Sequence, residues 1–311
     1  MTLSVEVDGL SRRFGALSAV ADLRFTVTPG ELFGIVGPDG AGKTTTLRML
    51  AGVLSPTAGD ARLGGVSVAR QPERAKLLLA YMSQRFGLYT DLTVQENLDF
   101  YADLQGVPRA DRPAHYDRLF AFSGLAPFRD RLAGALSGGM KQKLGLSCAL
   151  VHQPSVLLLD EPTFGVDPIS RRDLWLIVHG MVAEGMTVLV STAYLDEAER
   201  CDRLALLHEG RVVALDTPGA LQGRLAGRLR ALRTNAPRRA RDLLRDHASV
   251  AHATLFGETL HVTLPSPDAD WDSARQLLAQ QGVDVLDDAP IEASLEDVFL
   301  TLTTSSDDHR G

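Results

Sequence analysis

Near the start of the chain, apolar and polar residues alternate in two short segments, 3–8 and 22–28, the second setting Leu23, Phe25 and Val27 on one side. A period of two predicts antiparallel strands with one buried face, here separated by SRRFG. Four other runs are largely apolar without alternation: 31–36 (ELFGIV), 77–82, 156–160 (VLLLD) and 186–191. These predict buried strands, and 156–160 reads as a central strand of a parallel sheet. Helical spacing occupies the intervals. A helix is predicted at 42–52. Another starts at the capping box Thr93-Val-Gln-Glu96 and carries Leu98, Phe100, Tyr101 and Leu104 until Gly106-Val-Pro108 stops it. Further helices are expected at 113–123, behind Ser137, from Pro168 to Glu184, and at 194–200. Segment 59–65 is turn-rich, and Glu209-Gly210 marks a hairpin. Beyond Thr217-Pro218 the order becomes strand 228–234, helix 237–246, strand 250–255, a turn at Gly257, strand 259–264, helix 270–281 and strand 283–287. That order predicts a small α+β domain of split βαβ type. Residues 304–311 read as a frayed tail.

A length of 311 residues exceeds one small core and fits two domains, 1–218 with a helical insertion at about 85–150, and 219–303. A net charge of −7 gives no bulk reason to expect a nucleic-acid partner. Cys148 and Cys201 stand alone, and the eight histidines are scattered rather than set at ligand spacing. Neither a disulfide framework nor a structural metal is implied, which fits a reducing cytoplasm. No window approaches the ~18 apolar residues of a membrane span, so work at a membrane would need a partner. Eight arginines and no lysine lie within 224–245. This is either a basic patch facing lipid head groups or a partner, or a solvated face, and the interleaved Leu225, Leu229, Leu232, Leu243 and Leu244 favour the solvated face.

The sharpest chemistry is at 37–45, GPDGAGKTT, which fits G-x-x-x-x-G-K-[ST] and directly follows a predicted strand. Gly37, Gly40 and Gly42 let backbone N–H groups turn inward around phosphates. Lys43 supplies a charge for the outer phosphates, Thr44 a hydroxyl for magnesium, and the helix start its positive end. Asp160 and Glu161 end the apolar run 156–160. Asp160 is thereby placed to hold magnesium, and Glu161 to orient or deprotonate an attacking water. Ser137 followed by two glycines is either a plain capped helix or a second anion site. Phe14, just before a glycine, could stack on a flat base or pack in the core, and Gln84 closes a strand and opens a loop.

In this order the motifs resemble the ATP-binding subunit of ABC transporters, over residues 1–218. The resemblance implies an α/β fold: a P-loop NTPase core of the ABC ATPase type, with a mixed sheet plus antiparallel strands, a helical insertion and a small C-terminal α+β extension. It implies ATP and Mg2+ as ligands. Phe14 would stack on adenine, and Gly37, Pro38, Asp39, Gly40, Ala41, Gly42, Lys43, Thr44 and Thr45 would form the Walker A loop. Gln84 would be the loop glutamine that senses magnesium and the membrane subunit, and Asp160 and Glu161 the Walker B pair. Ser137, Gly138 and Gly139 would be the signature that clamps the γ-phosphate bound by an opposite subunit, with Asp167 as the D-loop aspartate. Glu161, Gln84 and Lys43 are thus the expected catalytic residues, and Thr44, Gln84 and Asp160 the expected magnesium site. The C-terminal SLEDVFLTLT is similar to the extension of bacterial multidrug-export ATPases, and the chain looks nearest to the first ATPase half of tandem drug exporters. The family reading implies a subunit on the cytoplasmic face of the cell membrane that powers export through separate transmembrane permeases, 85–97 receiving the permease. It pairs with a second ATPase subunit, a heterodimer being favoured. Three positions depart from the family: Asp39 replaces Asn, Met140 replaces the signature Gln, and Ala193 stands where the switch histidine is usual. Two alternatives stay open, a nucleotide-binding regulatory subunit with little turnover and a soluble non-transport ABC protein. The latter is disfavoured by the single cassette.

Overall fold

The computed structural model describes residues 2–84 and 86–307. The chain divides into two compact units, 1–212 and 213–311.

The first unit begins with β1 (Val5–Phe14) and β2 (Leu17–Val27), paired antiparallel from Val5↔Val27 to Phe14↔Leu17. The alternation that predicted them is the burial pattern: Val20, Leu23, Phe25 and Val27 are buried and their neighbours are not. SRRF is not a separator. It continues β1, and the turn falls after Phe14. The buried run β3 (Leu32–Val36) feeds α1 (Lys43–Leu50). The turn-rich 59–65 then proves to be mostly strand, since Ala61 and Leu63 alternate inward along β4 (Ala58–Leu63), which pairs with β1 and with β5 (Val66–Ser67). After α2 (Pro72–Lys76) and β6 (Leu79–Met82) comes the helical insertion: α3 (Val94–Leu104), α4 (Arg112–Ser123) and α5 (Gly138–Ala149). Thr93 and Glu96 form the reciprocal capping box that starts α3, and Gly124 in the left-handed region ends α4. Then follow β7 (Val156–Asp160), α6 (Pro168–Ala183), β8 (Thr187–Thr192), the short α7 (Leu195–Ala198), β9 (Arg203–His208) and β10 (Arg211–Asp216). Glu209 and Gly210, both at positive φ, make the turn between the last two strands, as the primed hairpin turns require.

Six strands form the sheet that carries the chemistry, in the order β10-β9-β3-β8-β7-β6, and β9 through β6 run parallel. β3, β7 and β8 are buried along their whole length, because helices cover both faces. Their C-terminal ends converge on the first turn of α1. The insertion's Val94, Leu98, Tyr116, Phe120 and Leu144 share one apolar core with Met82, Leu157, Leu159 and Trp175.

The second unit contains α8 (Pro218–Gly223), β11 (Leu229–Thr234), α9 (Pro237–Leu244), β12 (His252–Phe256), β13 (Thr259–Thr263), α10 (Trp271–Gln280), β14 (Val285–Pro290) and α11 (Leu295–Asp307). The antiparallel order β12-β13-β11-β14 is that of a split βαβ sheet, and Leu232, Leu244, Leu260, Val262, Trp271 and Leu278 fill its core. The chain expected to fray from 304 instead continues α11 through Asp307, and positions 308–311 of that tail lie outside the described residues. Several of the clustered arginines are answered by acids: Arg230 by Asp288, Arg224 by Asp216, Arg241 and Arg245 by Asp242. Among the described residues no helix is long and apolar enough to cross a membrane.

Candidate nucleotide site

The loop between β3 and α1 is shaped by glycines at both ends, since a Cβ on Gly37 would lie 2.2 Å from the Leu207 carbonyl oxygen. Gly42 caps α1 at φ 101, and a Cβ there would lie 2.7 Å from the Ala19 carbonyl oxygen, so no other residue fits. The ammonium of Lys43 is turned back under the loop, 4% exposed, donating to the carbonyls of Gly37 at 2.8 Å and Pro38 at 3.1 Å. Its third neighbour is Glu161, whose Oε1 lies 3.1 Å away. Gln84 Nε2 donates to the other Glu161 oxygen at 2.9 Å. The carboxylate at the end of β7 is thus held between a cation from the loop and an amide from the segment after β6, and the packing of the parallel strands side by side brings these distant residues together.

Asp160 is 1% exposed and accepts three side-chain hydrogen bonds. Its Oδ1 accepts from Thr44 Oγ1 at 2.9 Å and Ser191 Oγ at 2.8 Å, and its Oδ2 from Tyr81 at 3.0 Å. Burial, and then the charge of Asp160, push the Tyr81 hydroxyl up to about 12, so it remains a donor. Ser191 also accepts the backbone N–H of Glu161 at 3.1 Å, which steadies that residue in its left-handed conformation at φ 47. Thr44, Asp160, Gln84 and Glu161 offer only oxygen donors toward a cation, the set that suits magnesium, and Thr44 and Asp160 already adjoin.

One open cleft is lined by Phe14, Leu17, Ala19, Asp39, Gly40, Gly42, Lys43, Thr44, Thr45, Gln84 and Glu161. Phe14 is 46% exposed, with the Arg12 guanidinium 4.6 Å over its ring, so the core-packing reading of this residue is set aside. Asp39 stands 3.9 Å from Lys43 but is 98% exposed, where solvent screens its charge. Ser137, Gly138, Gly139 and Asp167 do not line this cleft. Ser137 caps α5 through the N–H of Met140, and Asp167 caps α6 by accepting from Ser170 and then Ile169, which hold its carboxyl below the usual range. Ala193 is exposed at the end of β8. Sequence reasoning missed Tyr81 and Ser191. Each is polar near the C-terminal end of a strand flanking β7, Ser191 directly opposite Asp160 in the register and Tyr81 opposite Leu158, and that was the available signal.

A parallel sheet with a phosphate loop at the head of its first helix, and two acids at the end of the strand next but one to the loop's own, defines a P-loop nucleotide-binding ATPase. Comparison with known proteins narrows this. Residues 20–164 match the family model described as "ABC transporter". The chain is 38% identical over 301 residues to "Nod factor export ATP-binding protein I" of Burkholderia lata, covering 96% of each. It is 35% identical to "Daunorubicin/doxorubicin resistance ATP-binding protein DrrA" of Streptomyces peucetius, covering 99% of this chain and 95% of that one. Identity reaches 52% over 226 residues with "Probable multidrug ABC transporter ATP-binding protein YbhF" of Escherichia coli, but the match spans 72% of this chain and 39% of that longer protein. A solved "ATP binding subunit of ABC transporter" superposes with a TM-score of 0.65 at 32% identity, covering 73% of this chain and 94% of that one. The chain belongs to the family of ABC transporter ATP-binding proteins.

Proposed function

We propose that this chain binds ATP with Mg2+ and hydrolyses it to drive export of small, drug-like molecules through separate transmembrane permease subunits, from the cytoplasmic face of the membrane. The observation that carries the reading is the clamp of Glu161 between Lys43 and Gln84, beside the Thr44–Asp160 pair, in one cleft with the exposed ring of Phe14. Phe14 stacks on the base. Lys43 exchanges Glu161 for the outer phosphates, and the freed carboxylate orients the attacking water and takes its proton. Thr44, Asp160 and Gln84 hold Mg2+, which supplies neutralisation of phosphate charge when bound. The names of relatives from E. coli and S. peucetius support drug-like cargo. The surface for the permease is the loop and helix start at 86–97; Arg85, the first residue of that segment, lies outside the described residues.

The test is Glu161→Gln, which keeps size and hydrogen bonding but removes the base. ATP binding should persist, turnover should be lost, and an ATP-bound dimer should accumulate with a suitable partner. A variant that still turns over rejects the assignment of Glu161.

Ala193 supports a second element, an asymmetric pair. In a head-to-tail dimer each site joins one chain's loop to the other's signature, so a homodimer carries Ala193 twice. Losing a preorganised contact to the transferring phosphoryl group costs about 10²–10³ in rate, so the chain alone hydrolyses slowly, and a partner with a switch histidine restores one fast site. Steady-state ATPase of the chain, of Ala193→His and of the chain with its partner distinguishes the cases. Full activity of the chain alone, unmoved by Ala193→His, rejects asymmetry.

A further inference from the structure

Behind the end of β8 sits a carboxylate that the chemistry above does not use. Glu197, in α7, is 1% exposed. Its Oε2 accepts from two hydroxyls, Thr163 Oγ1 at 2.9 Å and Thr192 Oγ1 at 3.0 Å, and its Oε1 faces Arg171 Nε at 3.4 Å. Oε1 and that Nε make no hydrogen bond, so charge alone holds this link. A buried carboxylate is costly to keep unless its partners repay the lost hydration, and an apolar filling of the same space would serve stability as well.

The partners belong to different parts of the site. Thr163 lies two residues beyond Glu161. The Thr192 carbonyl accepts the N–H of Gly37, where the phosphate loop begins, at 3.3 Å, and its hydroxyl accepts the N–H of Tyr194 at 3.0 Å, spanning Ala193. Arg171 lies in the first turn of α6, its N–H on the Asp167 carbonyl at 2.9 Å and its guanidinium 4.8 Å over the Tyr194 ring.

We propose that Glu197 is a positioning residue for ATP hydrolysis. Through Thr163 it sets the strand end that carries Glu161, and through Thr192 the start of the phosphate loop and the backbone at Ala193. Its charge on Arg171 ties both to the turn capped by Asp167. The inference rests on the ATPase reading above.

Glu197→Gln keeps the shape, and its amide oxygen still accepts both hydroxyls, but its amide nitrogen then faces Arg171. Thr163→Val removes one hydroxyl without changing volume, and Thr163→Ser keeps it. Equilibrium affinity for a fluorescent ATP analogue with Mg2+, the single-turnover rate of ATP hydrolysis with protein in excess, and thermal melting are measured for each. Expected are affinities within about threefold of the unaltered chain for all three, with single-turnover rates about 10–100-fold lower for Glu197→Gln and Thr163→Val and retained by Thr163→Ser. Unchanged rates in folded Glu197→Gln and Thr163→Val overturn the proposal, as does loss of affinity in step with rate. If Glu197→Gln does not fold, the Thr163 pair decides by the same criteria. An unaltered chain that binds no nucleotide, or never hydrolyses it, fails the ATPase reading itself and this inference with it, an outcome visible before any variant is made.

Discussion

Lys43 donates to two carbonyls of its own loop and is ion-paired with Glu161. The loop carbonyls aim the ammonium, while Glu161 is the partner that a phosphate can replace, since both are anions and only one fits. Lys43→Ala therefore removes a charge-assisted contact to the nucleotide, worth about 1.5–3 kcal/mol, and should weaken binding of an ATP analogue by about 10–100-fold. Glu161→Gln, measured beside it, should bind nearly as the unaltered chain does. Equal affinity in Lys43→Ala would show that the loop does not hold the phosphates. Asp160 works differently: with three hydroxyl partners it is a fixed point around which Thr44, Ser191 and Tyr81 are arranged.

At the scale of elements, α5 and α6 meet at their first turns, and the contact is too tight for a side chain. An added Cβ on Gly139 would fall on the side chain of Ser170. The first turns of α5 and α6 are therefore packed as one piece, which gives Gly139 a role within its own chain besides the signature role proposed for it. Gly139→Ala should cost about 1–3 kcal/mol by overpacking, read as a lowered Tm. Adding Ser170→Gly should recover most of that loss, because the two changes share one space and cannot be additive. Additive losses in the double variant would show that the contact does not limit the packing.

For the whole molecule, every residue of the cleft lies in the first unit, and the split βαβ sheet of the second has its own core. The division at Val212/Val213 falls earlier than the boundary expected at Thr217-Pro218, but β10 runs through it to Asp216. A cut at the division would leave the edge strand of the parallel sheet half made. Residues 1–218 should therefore fold and bind an ATP analogue with affinity near that of the full chain, as checked by melting and titration. An insoluble or nucleotide-blind fragment would mean that the C-terminal unit completes the ATPase fold.

Local rules were enough to read much of this protein from its sequence. The phosphate loop, the acids ending a buried strand, the caps at Thr93, Ser137 and Asp167, and the βαββαβ order of the C-terminal unit depend on short-range spacing and turn chemistry, and they stand where the residues predicted. What needed the tertiary structure depends on which strand ends lie side by side. β7 between β6 and β8 brings the hydroxyls of Tyr81 and Ser191 onto Asp160 from either side, although the three are far apart in sequence. The same adjacency closes Gln84 and Lys43 on Glu161 and buries Glu197 among Thr163, Thr192 and Arg171. The strand β4 was hidden for a related reason: its pairing with β1 is a long-range choice, and Gly59 within it and Gly64-Gly65 after it read locally as turns. Periodicity shows that a strand is buried, but the hydrogen bonds of its polar end are set by neighbours chosen only when the sheet assembles.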